Sequence, residues 1–208
     1  AGALNRMAGA VRADRNTLET AVRERTEQLE RIAYVDSLSG VLNRRGFIEA
    51  FEQEERRARK ETSHPGLLIL DIDNFKTIND EHGHAAGDEV IAEIGRRLLD
   101  VTREQDLCAR WGGDEFVVIL KDCDPRALAA VSSKILDAVR SRSVELPGDV
   151  HLRVAVSVGA HLVTPQDTLE SATRKADTAL YMAKRQGRNR VIIYDPALHG
   201  AATVGRVA

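Results

Sequence analysis

Arg110-Trp111-Gly112-Gly113-Asp114-Glu115-Phe116-Val117-Val118-Ile119-Leu120 decides how the rest of the chain is read. Leu107 to Trp111 and Phe116 to Leu120 are mostly apolar runs of strand length, and the glycine pair between them supplies the positive φ that a tight hairpin needs. The turn therefore carries two adjacent carboxylates, Asp114 and Glu115. Alternation along a strand sends neighbouring side chains to opposite faces, so one carboxylate can address a bound ion while the other orients it or reaches a second partner. Alone, the same four residues would equally suit a solvated hairpin whose acids only keep the loop polar. A second acidic cluster upstream separates the two readings.

That cluster ends the run Gly66-Leu67-Leu68-Ile69-Leu70-Asp71-Ile72-Asp73, which has the continuous apolar character of a buried central strand emerging at its carboxyl end. Asp71 and Asp73 flank Ile72, so both carboxylates are expected on one face and Ile72 on the other. With Asp114 and Glu115 they can converge on a pair of hard divalent cations, magnesium first and manganese as the alternative. Such a pair can hold a polyphosphate, one ion lowering the pKa of an attacking hydroxyl and the other stabilising a departing pyrophosphate. Lys76 and the Lys184/Arg188 pair supply positive charge for a triphosphate. Asn79 and Asp88 flank one loop, and a carboxylate accepts hydrogen bonds from guanine N1 and its exocyclic amine, a donor pair that adenine lacks on that edge. His82 and His84 raise zinc as an option, which the neighbouring hard oxygen ligands and the absence of an accompanying Cys disfavour. The residues by themselves describe a metal-dependent guanine-nucleotide enzyme or binder.

Composition bounds the rest. The 208 residues are 43% hydrophobic and 30% charged with a formal charge of -2, which fits one globular domain of about 170 residues plus an appendage. A balanced charge predicts no nucleic-acid surface, so any anionic ligand must be held locally. Cys108 and Cys123 lack metal-ligand spacing and read as reduced thiols.

Residues 1–33 differ in kind. Leu4, Ala8, Val11, Arg15, Leu18, Val22, Arg25, Leu29 and Ile32 form a heptad seam, interrupted by two arginines, that predicts a coiled-coil helix pairing with a second copy. A helix folding back onto its own domain is the alternative. Asp36 to Arg45 reads as a hinge, followed by a helix from about Arg45 to Lys60. Beyond the apolar strand, Phe75 to Asp80 reads as a short helix. Glu81 to Asp88 reads as a loop in which Asp88 caps a helix running to Val101. Asp124-Pro125 starts a helix to about Arg142, His151 to Val163 alternates as one long strand, and a helix from Thr168 or Leu169 to Arg185 precedes a closing strand at Val191–Tyr194. The predicted fold is α+β, ferredoxin-like, with a mixed, largely antiparallel sheet covered by helices. Its boundaries are a stalk at 1–33, a domain at 34–195 and a disordered tail at 196–208.

The chain resembles the GGDEF-domain diguanylate cyclases. Five blocks carry the likeness in order: Asp36-Ser37-Leu38-Ser39-Gly40-Val41-Leu42-Asn43-Arg44-Arg45, Asp71 to Asp80, Gly83-His84-Ala85-Ala86-Gly87-Asp88, Gly112-Gly113-Asp114-Glu115-Phe116, and Ala183-Lys184-Arg185-Gln186-Gly187-Arg188-Asn189. Ser39 stands where Thr is common, which keeps the hydroxyl. The resemblance implies a nucleotidyl-cyclase palm that condenses two GTP to cyclic di-(3'-5')-GMP and two pyrophosphates. It implies that Asp71, the Ile72 carbonyl and Asp114 hold magnesium, two ions per active site, with Glu115 assisting. Lys76, Lys184 and Arg188 meet phosphates, and Asn79, His84 and Asp88 meet the nucleoside. Asp114 accepts the 3'-hydroxyl proton, and Asp73 supports the fold, or the groups around the metal site, instead of binding the metal.

The family also implies a homodimer, because each 3'-hydroxyl attacks the other GTP across a twofold axis. Asn5-Arg6-Met7-Ala8 and the following helix are similar to the tail of a HAMP linker, a resemblance that would make this the cytoplasmic portion of an inner-membrane receptor. Arg103-Glu104-Gln105-Asp106 stands where family members carry an Arg-x-x-Asp inhibitory site for cyclic di-GMP. Read alone, it would be a surface ion pair. Two rivals remain: a catalytically silent GGDEF domain acting as a GTP or cyclic di-GMP receptor, and a cyclase of related fold using other nucleotides.

Overall fold

The computed structural model describes residues 33–61 and 64–199. In order the elements are α1 (Arg44–Glu61), β1 (Gly66–Ile72), α2 (Phe75–His82), α3 (His84–Val101), β2 (Leu107–Gly112), β3 (Glu115–Leu120), α4 (Pro125–Arg140), β4 (Val144–Leu146), β5 (Val150–Leu152), β6 (Val156–Leu162), α5 (Leu169–Arg185), β7 (Val191–Ile193) and α6 (Pro196–His199). Residues 1–32 of the expected stalk and 200–208 of the expected tail lie outside the described residues. The tail as expected from residue 196 begins with the single helical turn of α6.

β1 is buried along its whole length, as its apolar run predicts, because it is the middle strand of the sheet β2-β3-β1-β6-β7. It runs antiparallel to β3 and β6, and β6 runs parallel to β7, so the sheet is mixed and largely antiparallel. Alternation along the strands divides the core. Leu68, Leu70, Phe116, Val118 and Val158 face α3 and α4 through Val90, Ile94, Leu98, Leu128 and Ile135. Leu67, Ile69, Val117 and Ile119 face α1 and α5 through Phe47, Phe51, Ala172, Ala176 and Leu180. Truncating Phe116, which is 0% exposed, to Ala would cost about 3–5 kcal/mol through lost transfer energy and the cavity left behind.

The placement of α5 matters most for the site. Its inward stripe Ala172, Ala176, Ala179 and Ala183 is wholly buried, and it lies directly on β6. A Cβ at Gly159 would stand 2.1 Å from the Ala176 carbonyl oxygen and 2.3 Å from the Leu180 nitrogen, so only glycine permits this approach. The close contact carries the C-terminal end of α5 over the end of β1.

Two expectations change. Asp88 does not cap a helix: α3 begins at His84, with Gly83 (φ 84) both ending α2 and starting α3, which leaves the Asp88 side chain exposed one turn inside. The positive φ of Gly83 breaks the helix by itself, so no side-chain cap is needed. The alternating run from His151 to Val163 is two strands. β5 pairs with the short β4 in a separate hairpin whose turn holds Gly148 and Asp149 at positive φ, and β6 alone joins the main sheet. Alternation reports a half-buried strand but not which partner it pairs with.

Candidate active site

Asp71 is the last carboxylate inside β1, and Glu115 is its cross-strand partner at the start of β3. Directly opposed residues of an antiparallel pair share a face, so both side chains lie on the α5 side of the sheet. From α5, Lys184 brings its Nζ to 2.6 Å from Asp71 Oδ2. Asp114 occupies the turn between β2 and β3, and its carbonyl accepts from the Ile72 nitrogen at 3.2 Å, which ties the turn to the end of β1. The two acidic clusters seen in the sequence thus meet at one end of the sheet.

Their electrostatics are unbalanced. Burial holds the Asp71 carboxyl above its ordinary value; Lys184 works against this, and Asp114 and Asp73 add to it. Glu115 is also raised, first by burial and then by repulsion from Asp71 and Asp114, with Lys184 opposing. Three carboxylates share this corner with the Lys184 ammonium, which leaves excess negative charge in a partly desolvated place. All the donors, with the Ile72 carbonyl beside them, are hard oxygens, the donor set that a magnesium or manganese ion prefers. Among the described residues no three side chains already converge at ligand distance, and the Lys184 ammonium is the cation now paired with Asp71.

Asp73 stands apart from this set. Its Oδ1 accepts from Ser157 Oγ at 2.7 Å and its Oδ2 from the Asn189 nitrogen at 2.9 Å, and it is 7% exposed. It shares a face with Asp71 as the alternation predicts, but it holds protein groups.

Lys76 and Asn79 lie on α2, which starts two residues after Asp73, and His84 and Asp88 lie on α3. Lys76, His84 and Asp88 are exposed and Asn79 is half-buried. Gly87 seats Asn79 against α3, since a Cβ there would fall 2.0 Å from Asn79 Oδ1. Among the described residues no hydrogen bond or ion pair links these four side chains to the carboxylates. Arg188 is exposed, on the turn after α5, at φ 61. At Arg103-Glu104-Gln105-Asp106 the carboxylate of Asp106 accepts from the Arg103 nitrogen and the Lys121 nitrogen, each at 3.0 Å. It shapes the turn, and among the described residues no ion pair joins it to the exposed Arg103 guanidinium. Cys108 and Cys123 are free and buried, and burial pushes both thiols up to about 11, which suits their lack of an assigned role.

One feature of the site escaped the sequence. Arg110 donates from Nε and Nη2 to the Gly113 carbonyl at 2.9 and 2.8 Å, and from Nη1 to both Asp36 oxygens at 3.3 Å. Burial raises the Asp36 pKa, but Ser39 and Arg110 outweigh it and hold the carboxyl below its ordinary value. The Asp36 segment and the acidic turn are therefore joined through one guanidinium. Leu42 extends this connection by pairing with β2 at Cys108 and Arg110.

The sequence profile described as "Diguanylate cyclase, GGDEF domain" matches residues 33–190. The diguanylate cyclase DosC of Escherichia coli K12 is 32% identical over 188 residues, covering 88% of this chain and 41% of that protein. DgcM of the same strain is 36% identical over 166 residues, covering 80% of this chain and 40% of that protein. The chain thus spans about two fifths of these relatives. Among solved structures, the coiled coil and GGDEF domain of DgcB from Caulobacter crescentus in complex with c-di-GMP superposes with a TM-score of 0.81 at 32% identity, over 88% of this chain and 97% of that one. The diguanylate cyclase SiaD, in complex with its activator SiaC from Pseudomonas aeruginosa, gives a TM-score of 0.77 at 33% identity, over 91% and 72% of the two chains.

Proposed function

The chain belongs to the diguanylate cyclase GGDEF-domain family, and from that premise we propose that it condenses two GTP into cyclic di-(3'-5')-GMP with release of two pyrophosphates. The observation that carries the proposal is the under-neutralised corner of Asp71, Glu115 and Asp114 beside Lys184. Asp71, the Ile72 carbonyl and Asp114 would hold the divalent metal, with Glu115 alongside. When bound, two magnesium or manganese ions supply Lewis acidity toward the attacking hydroxyl and the leaving oxygen.

The remaining roles fall to the chain's own groups. Lys184 passes from Asp71 to the triphosphate, joined by Lys76 and Arg188. Asp88 accepts from guanine N1–H and the exocyclic amine, with Asn79 and His84 on the nucleoside. Asp114 takes the proton from the 3'-hydroxyl. That oxygen bonds to the α-phosphorus of the second GTP, and pyrophosphate leaves with the electron pair of the broken P–O bond. Repeating the step from the facing domain closes the ring, so two copies must meet. The heptad seam of residues 4–32 would hold them together and raise the local concentration of one domain at the other. Arg103 and Asp106 would bind accumulated product, the exposed guanidinium stacking on guanine and pairing with phosphate.

GTP as substrate fits a cytoplasmic domain, here of an inner-membrane receptor whose sensor lies elsewhere. Among the described residues no helix is long and apolar enough to cross a membrane. Incubating the chain with GTP and Mg2+ and identifying the product by mass tests the proposal. Cyclic di-GMP with pyrophosphate is the expected result; GTP recovered intact, with binding retained, would favour a silent receptor domain.

A further inference from the structure

We infer that Asp73 is a positioning residue that fixes the phosphate-facing turn Gly187–Asn189, and through it the Arg188 guanidinium, against the metal-facing end of β1. The inference rests on the reading above, in which Arg188 meets phosphate. Arg188 and Asn189 follow one another at φ 61 and 46, a left-handed backbone that residues with a Cβ disfavour and that neighbouring bonds must hold. The turn closes on itself through the Arg188 nitrogen to the Ala183 carbonyl at 3.0 Å and through Arg190 Nε to the Arg188 carbonyl at 3.0 Å.

Neither of those bonds ties the turn to the carboxylates. Asp73 does: its buried carboxylate takes the Asn189 N–H on Oδ2, while Ser157 Oγ fills Oδ1 and the Asp73 nitrogen donates to the Ala155 carbonyl at 2.9 Å. Two residues earlier, Asp71 takes Lys184 from the same α5 segment. Alternate residues of one strand end therefore grip both sides of the α5 C-terminus, one by a side chain and one by main chain. The cation set for phosphate and the anion set for metal are held as one unit.

The test measures steady-state kinetics, GTP·Mg2+ affinity by calorimetry and Asn189 amide exchange in the full chain. Asp73→Ala is expected to raise the KM and the Kd for GTP about tenfold, to change kcat less than about threefold, and to speed exchange at Asn189. Asp73→Asn should restore KM, because the amide oxygen can accept from Asn189 while its NH2 donates to a rotated Ser157 hydroxyl. In an Arg188→Ala background, Asp73→Ala should add little, since both remove the same contact. Additive losses, a fall in kcat at unchanged KM, or failure of Asp73→Asn to rescue would each overturn the inference. Should Asp73→Ala not fold, Asp73→Ser, whose hydroxyl is too short to reach the Asn189 N–H, is expected to raise KM and speed exchange at Asn189 in the same way, and wild-type values of both would overturn the inference. A wild type that binds GTP without making cyclic di-GMP would defeat the catalytic reading alone, because the affinity and exchange measurements still judge Asp73.

Discussion

The two ends of α5 present the same ingredients with opposite outcomes. At the N-terminal end Lys175 stands 2.7 Å from Asp167, and at the C-terminal end Lys184 stands 2.6 Å from Asp71. Asp167 also accepts from His161 Nε2 at 2.9 Å, from the Thr164 nitrogen and hydroxyl at 3.0 Å each, and from Ser171 Oγ at 2.8 Å. Burial would raise its pKa, but Lys175, His161 and the remaining donors overwhelm that and hold it far below the ordinary carboxylate range. His161 is shifted down by its own burial, so it sits neutral and donates through Nε2 to a partner that only accepts. Asp71 has Lys184 and little else, faces other carboxylates, and is shifted up. A saturated network fastens the fold, whereas a buried carboxylate short of donors leaves negative charge that a bound cation would offset.

Breaking the unsaturated end should cost activity first. Asp114→Asn is expected to lower cyclic di-GMP production by at least about 1000-fold, roughly 4 kcal/mol of transition-state stabilisation, with the thermal midpoint little changed. Turnover within about threefold of wild type would remove Asp114 from the machinery. The saturated end should behave in reverse: Asp167→Ala leaves His161, Lys175 and Ser171 without their shared acceptor. It should destabilise the chain by about 3 kcal/mol in urea titrations while the GTP turnover of the remaining folded fraction persists. A neutral stability change there would erase the contrast between the two ends.

Asp88→Ala tests an intermediate case, a candidate ligand outside both clusters. Its exposed carboxylate has no structural partner to lose among the described residues, so GTP affinity should fall about tenfold at unchanged stability. Equal affinity by calorimetry would rule out guanine recognition by this residue.

The smallest effect has the sharpest sign. An acid whose folded pKa is raised holds its proton more tightly when folded, so stability is greatest below that pKa and declines as pH rises through it. Glu115 is such a group, and Gln cannot ionise. Glu115→Gln should therefore raise the metal-free thermal midpoint by about 2 °C at about pH 8, with the gain fading toward about pH 4. Asp167 obeys the opposite rule. Its depressed folded pKa gives stability that is complete above the unfolded value of about 3.9 and is lost only as pH falls through the folded one. A midpoint lowered by Glu115→Gln at high pH would mean that Glu115 is already satisfied.

The site was legible in proportion to how locally it is encoded. Asp71, Asp114 and Glu115 lie at the ends of unmistakable strand patterns, so their meeting follows once those strands pair. Lys184 was legible as a basic helix end near an anion, but its contact with a carboxylate was not, because that depends on the glycine-permitted approach of α5 to β6. Asp36 and Arg110 are 74 positions apart, and no spacing rule joins them. The cap of α3 stands at Gly83, five residues before Asp88, because Gly83 can both end and begin a helix, whereas a side-chain cap at Asp88 is the more familiar signal.

Periodicity and turn chemistry in the sequence determined the class of fold, the central buried strand, the hairpin and the carboxylates at their ends, because these depend on side-chain alternation and backbone preference within a few residues. The tertiary structure supplied the physical reason why one of two neighbouring acids, Asp73, is taken up by the protein, a difference that the family resemblance implied and the alternation pattern did not. Asp71 and Asp73 are equivalent by pattern, and they differ because Ser157 and the Asn189 N–H, 84 and 116 positions from Asp73, satisfy one carboxylate and leave the other facing Lys184 and its fellow acids.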